Sequence, residues 1–176
     1  MGDTFAQTLH DWQNFYMLTG TAAATLIGLL FVAASLGAGL IADHTRDNIR
    51  TFVTPTLLHF GAVLILACIF TVPGQSPDVL GALVAAIGVA GLAQVLKTVP
   101  QMWQYHQRDD FDRAHWLWHN VLPGVAYLLI SGTGGALLLG ARPLLSPLAL
   151  GVGLLLVVGI HNTWTLTLWI VQHRTR

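Results

Sequence analysis

Five long runs of the chain carry no Asp, Glu, Lys or Arg: residues 15–41, 52–72, 79–96, 116–140 and 147–171. Short polar breaks divide them, among them Asp43-His44-Thr45-Arg46-Asp47, Pro73-Gly74-Gln75-Ser76-Pro77-Asp78 and Arg142-Pro143. Crossing a hydrocarbon core of roughly 30 Å takes about 20 mostly apolar helical residues, and each run is close to that length. The pattern predicts a single all-α domain over 1–176, a compact bundle of five transmembrane helices. The longest break, 97–115, is a loop too short to fold into a domain of its own.

Composition sharpens this reading. Hydrophobic residues make up 54% of the chain and charged residues 9%, with a mean hydropathy of +0.64. A soluble domain carries about 25% charged residues. Disorder and a disulfide scaffold are excluded by the same balance, since Cys68 is the single cysteine. Zero formal net charge and the lack of a basic stripe give no argument for a nucleic-acid partner. The expected partners are the lipid bilayer and other membrane-embedded chains. The first ten residues hold no Lys or Arg, so a basic signal-peptide start is missing and the first run is expected to remain.

The positive charges set an expected orientation. Five spans place Arg46, Arg50, Lys97, Arg108, Arg113, Arg174 and Arg176 on one side and only Arg142 on the other. The positive-inside rule then predicts an outside N-terminus and a cytoplasmic C-terminus.

Small residues mark where helices can approach in lipid. The first run offers Gly20, Ala24 and Gly28, the third Ala82, Ala86 and Ala90, and the fourth Gly132, Ala136 and Gly140. These faces fit either within one subunit or against a second copy. The run Ser131-Gly132-Thr133-Gly134-Gly135 reads either as a broken helix lining a site or as an intact helix with a tight contact. Pro123 predicts a kink unless its helix starts late, and Pro55 is placed in the first turn or so of the second span.

Two histidines lie well inside runs, away from their first turn, His59 and His161, at similar depth on different helices. With Asn162 beside the second, they are the candidate intramembrane polar set. Facing each other they would suit a haem, a transition metal or a proton relay, and otherwise a hydrogen bond joining two helices. A second set, Asp112, His115 and His119, shares one helical face if the fourth helix starts before Asp112, and resembles a first shell for iron, zinc or manganese. Several catalytic classes drop out. The chain contains no Glu, hence no His-Glu-x-x-His box, and it has no Gly-x-Ser-x-Gly elbow and no P-loop lysine. With every Asp outside the five runs, an intramembrane aspartyl protease is excluded as well.

The stretch Trp12-Gln13-Asn14-Phe15-Tyr16, followed by 20–36, resembles a group of small uncharacterised bacterial multi-span proteins, and Ile160-His161-Asn162-Thr163-Trp164 is similar to the polar patch of their last helix. The resemblance implies a compact inner-membrane helical protein and transfers no catalytic residue. Taken together, the expectation leans away from an enzyme and towards a membrane subunit, either homo-oligomeric or accessory to a larger complex. A channel or facilitator for a small solute or ion is one alternative. A haem- or metal-binding protein built on His59/His161 or Asp112/His115/His119 is the other.

Overall fold

A computed structural model describes residues 2–38, 46–105, 116–141 and 145–174. The described chain is all-helical: α1 (Gly2–Ala38), α2 (Arg46–Thr71), α3 (Pro77–Tyr105), α4 (Leu122–Leu138, entered through a π-helical turn, Leu117–Val121) and α5 (Ser146–Arg174). All five helices are long and apolar enough to cross a membrane, over Phe5–Ser35, Thr54–Thr71, Pro77–Lys97, Leu117–Leu138 and Ser146–Leu168.

The helices pack as two antiparallel pairs, α1 on α2 and α3 on α4, with α5 laid against α4, α2 and, to a lesser extent, α1. Val63 and Leu66 of α2, Ile130 of α4 and Val152 and Leu155 of α5 are all at most 1% exposed, and they form the apolar centre of the bundle. The outer surface is equally apolar, with Leu18, Phe31, Val89, Leu128 and Leu150 exposed as lipid contact would require. The lone thiol, Cys68, is also exposed.

Three boundaries differ from the sequence expectation. Helix α1 begins at Gly2 rather than near residue 15, and at 37 residues is about 55 Å long. Its first turns are amphipathic: Phe5, Leu9 and Trp12 pack on the core, while Gln7, His10 and Asp11 are exposed. Charge-free runs miss such a segment because its polar face carries Asp11. Helix α2 starts at Arg46, so Pro55 is interior to the helix while standing, as expected, in the first turn of the apolar span Thr54–Thr71. Helix α3 continues to Tyr105, so the first part of the expected 97–115 loop is helical.

Pro123 is accommodated rather than avoided. A proline lacks the N–H that continues the ladder, and its ring crowds the carbonyl four residues back. The turn before it widens: the Leu122 N–H bonds to the Leu117 carbonyl, one residue further back than in an α-helix. At the other end of α4, Gly140 adopts φ +71°, and the Ala141 N–H closes on the Ala136 carbonyl at 2.9 Å. Gly140 is therefore a helix stop and not part of a packing face.

Closest approach falls on glycines next to those expected. A Cβ on Gly88 would stand 2.5 Å from the Ser131 nitrogen, and one on Gly134 would stand 2.7 Å from the Ala85 Cα and 2.8 Å from the Gly81 carbonyl. Backbone thus lies on backbone between α3 and α4. Gly20 does pack, since its Cβ would meet that of Ala67 at 2.7 Å across the α1–α2 contact. Gly28 and Gly132 have no neighbour within 4 Å of an added Cβ, and Ala24, Ala82, Ala86 and Ala90 are exposed. Ala136 is half-buried. The serine–glycine run remains an intact helix, in which Ser131 and Thr133 donate their hydroxyls to the Tyr127 and Leu129 carbonyls.

Candidate functional site: a polar layer at one end of the bundle

Six polar side chains are buried among the described residues: Thr19, Thr56, His59, Asn120, Thr133 and Asn162. Thr19 and Thr133 satisfy themselves on carbonyls of their own helices at 2.9 and 2.8 Å. The other four belong to α2, the turn before α4, and α5. Packing registers bring them to one level. The Phe60 ring lies against the backbone of Gly159, which sets α2 against α5. Trp118 stacks flat on His161, with ring centroids 4.0 Å apart and planes at 14°, which sets the π-helical turn against α5. Residues 56–60, 117–120 and 159–162 therefore share a layer near the end of the bundle where α2 and α4 enter and α5 leaves.

Within this layer the two intramembrane histidines take different partners. His59 is 4% exposed, and its Nδ1 lies 2.9 Å from the Tyr127 hydroxyl on α4. The ring centroids are 5.7 Å apart and tilted at 50°. Tyr127 is held in place because its ring lies directly over Gly91 of α3, where no Cβ would fit. His161 instead spends its face on the Trp118 indole. The imidazole standing within electrostatic reach of His59 is that of His119, in the π-helical turn.

Asn162 is 3% exposed, and its Oδ1 is buried without a hydrogen-bond partner. Asn120, 5% exposed, comes from the same π-helical turn as His119. Asp112 and His115 lie outside the described residues, which leaves His119 as the described member of that set. Among the described residues no three of His, Cys, Asp and Glu gather as a metal-ligand group.

Tyr127, Trp118, Asn120 and Thr56 were not singled out from the sequence. The available signal was a phenol in the middle of an apolar run: a buried Tyr hydroxyl needs a partner, and an intramembrane histidine is a natural one.

Away from this layer the bundle closes. Tyr16 stacks on Phe70 near the other end of α2, with centroids 4.2 Å apart. Between the two ends lie Val63, Leu66, Ile130, Val152 and Leu155. The polar layer is thus bounded on one side by close-packed hydrocarbon.

Comparison with known proteins leaves this geometry to stand alone: no family model, no curated protein and no solved structure matches the chain.

Proposed function

We propose that the chain is a non-enzymatic integral membrane subunit that assembles with further copies of itself through the outward face of α1. The observation that carries this reading is the composition of that face. Asn14, Thr21, Gly28 and Ser35 recur every seventh residue and are all exposed, with Ala24 and Thr25 exposed between them. Thr21, Thr25 and Ser35 turn their hydroxyls back onto carbonyls four residues earlier at 2.8–2.9 Å, so these three hydroxyls are satisfied within the helix. Met17, Leu18, Phe31 and Val32 rise on either side as flanking ridges. In lipid, helices associate through such small-residue grooves, because apolar bulk alone does not distinguish a neighbour from a lipid tail. The stripe is uncharged and regular, and is therefore complementary to itself.

The packed apolar centre speaks against a solute path along the axis of one bundle, and favours a structural or assembly role over a facilitator. The Arg and Lys sorting supports an outside N-terminus and a cytoplasmic C-terminus. The resemblance of 12–16 and 20–36 to small bacterial multi-span proteins supports an inner-membrane location.

Assembly is tested by light scattering of the chain purified in mild detergent. The native chain is expected as a dimer or higher oligomer, and Gly28→Leu and Thr21→Leu as monomers of unchanged thermal stability, since neither position supports the fold of one bundle. A monomeric native chain overturns the reading. Orientation is tested separately in a Cys68→Ser background. A membrane-impermeant maleimide added to intact cells is expected to label Gln7→Cys and to spare Arg176→Cys until the cells are lysed. The reverse pattern would invert the topology.

A further inference from the structure

We propose that two copies meet as a parallel, two-fold α1–α1 pair, and that Asn14 fixes its register by hydrogen bonding to the partner's Asn14. This rests on the assembly reading above and deepens it, from association with further copies to one surface, one direction and one selecting residue.

Three observations converge on it. The first is the length of the exposed line. The repeat of Asn14, Thr21, Gly28 and Ser35 at every seventh residue extends one step back to Gln7, which is exposed as well. From Gln7 to Ser35 the line is about 42 Å long at 1.5 Å per residue, against a hydrocarbon core of roughly 30 Å. A strict seven-residue repeat keeps one helix facing another along its whole length when the two wind into a left-handed supercoil.

The second is direction. Every copy enters the membrane in the same sense, so the α1 helices of neighbouring copies run parallel. About a two-fold axis along the membrane normal, each position of the line faces its own counterpart. The small residues Thr21, Gly28 and Ser35 let the two backbones approach. They do not fix the register, because a slip of one heptad sets small residue on small residue again.

The third is the state of the polar groups on the line. Gln7 Nε2 donates to the Asp11 carboxylate at 2.9 Å, and the Thr21 and Ser35 hydroxyls each donate to a carbonyl of their own helix at 2.8 Å. Among the described residues, the Asn14 amide has no hydrogen-bond partner in its own chain. A carboxamide carries both donor and acceptor, so two of them related by a two-fold axis can exchange reciprocal N–H···O bonds. In register both are satisfied, whereas a slip of one heptad sets them against Gln7 and Thr21, whose donors are already committed. A single Asn facing its counterpart in this way specifies both register and a two-stranded state. The competing outward surface, Ala82, Ala86 and Ala90 of α3, carries no side-chain group that could bond an amide.

The test is disulfide trapping of the full chain in membranes, in the Cys68→Ser background with one new cysteine per variant, followed by light scattering in mild detergent. Cysteines that face each other across the pair come within reach of a disulfide. Gln7→Cys, Thr21→Cys and Ser35→Cys are expected to give at least about fivefold more covalent dimer than Ala22→Cys and Leu29→Cys, which stand one residue off the line. Asn14→Leu should still associate, but as a mixture of dimers and larger species where the native chain gives dimers alone. A monomeric native chain removes the assembly reading and the two-fold pair together. An oligomer trapped equally well at Ala22→Cys and Leu29→Cys, or trapped between Gly28→Cys and Ala86→Cys and not on the line itself, overturns the two-fold pair and leaves assembly standing. Dimers alone from Asn14→Leu overturn the selecting role of Asn14.

Discussion

Gly134→Ile is expected to destabilise the bundle strongly, while Gly132→Ile, two residues away in the same helix, leaves it intact. Both glycines lie in the helical run 131–135, and nothing in local propensity separates them. What separates them is the neighbour. A Cβ on Gly134 enters the backbone of α3 at Ala85 and the Gly81 carbonyl, whereas one on Gly132 meets nothing within 4 Å. Backbone cannot rotate out of the way as a flexible side chain can, so α4 would have to lift off α3 along its length. That motion also opens the Gly88–Ser131 and Gly91–Tyr127 contacts. Overpacking a core costs about 1–3 kcal/mol where side chains can adjust, and this contact belongs at or above the top of that range. Against a total stability of about 5–15 kcal/mol, the loss is large enough to read as poor recovery and a collapsed melting transition in detergent. Equal effects at the two positions would mean that α3 and α4 do not meet as described.

The same pair of glycines shows how far a sequence of this kind can be read. Span number follows from charge-free length, and each of the five charge-free runs overlaps one of the five membrane-length helices, with α1 displaced furthest. The turn at 73–76 also stands, with Gly74 at φ +74° and Ser76 accepting the Val79 N–H. Azimuth was the hidden quantity. In a soluble helix the polar face marks what is outside, but lipid is as apolar as the core, so both faces of α3 look alike. Ala82, Ala86 and Ala90 have regular spacing and face outward, while Gly81, Gly88 and Gly91 face α4. Glycine rather than regular spacing marks the closest approach, because only the loss of the last carbon lets two backbones touch.

The partners of the two histidines were hidden for the same reason. Rise per residue fixes depth, and His59 and His161 do share a layer. Direction around the helix decides the partner, and it sends one ring to Tyr127 and the other to Trp118. The early start of α1 has a different cause. Its first turns bury a narrow Phe5/Leu9/Trp12 stripe on the core while Asp11 remains exposed, a soluble-style pattern that a search for charge-free runs passes over.

Tyr127 is the residue on which the layer and the α3–α4 contact both depend, and truncating it should show the two contributions separately. The side chain is 2% exposed, its ring covers Gly91 and its hydroxyl meets His59. Removing a buried aromatic to alanine costs about 3–5 kcal/mol in soluble cores. In lipid the unfolded reference keeps the ring out of water, so the cavity and lost-contact share remains and Tyr127→Ala should cost about 3 kcal/mol. Tyr127→Phe keeps the ring on Gly91 and deletes only the hydroxyl. Intramembrane hydrogen bonds average about 0.6 kcal/mol and reach about 1.7, so the phenylalanine variant should lose about 1 kcal/mol. Adding His59→Leu to Tyr127→Phe removes the imidazole left without its partner, and a matched apolar pair is nearly neutral relative to a hydrogen-bonded one. The double variant should therefore be more stable than Tyr127→Phe alone. If it is less stable by the sum of the two single losses, the His59–Tyr127 contact carries no coupling and each side chain acts through packing alone. If it recovers stability, the two side chains are coupled, and the Tyr127 hydroxyl is what lets the His59 imidazole stay buried.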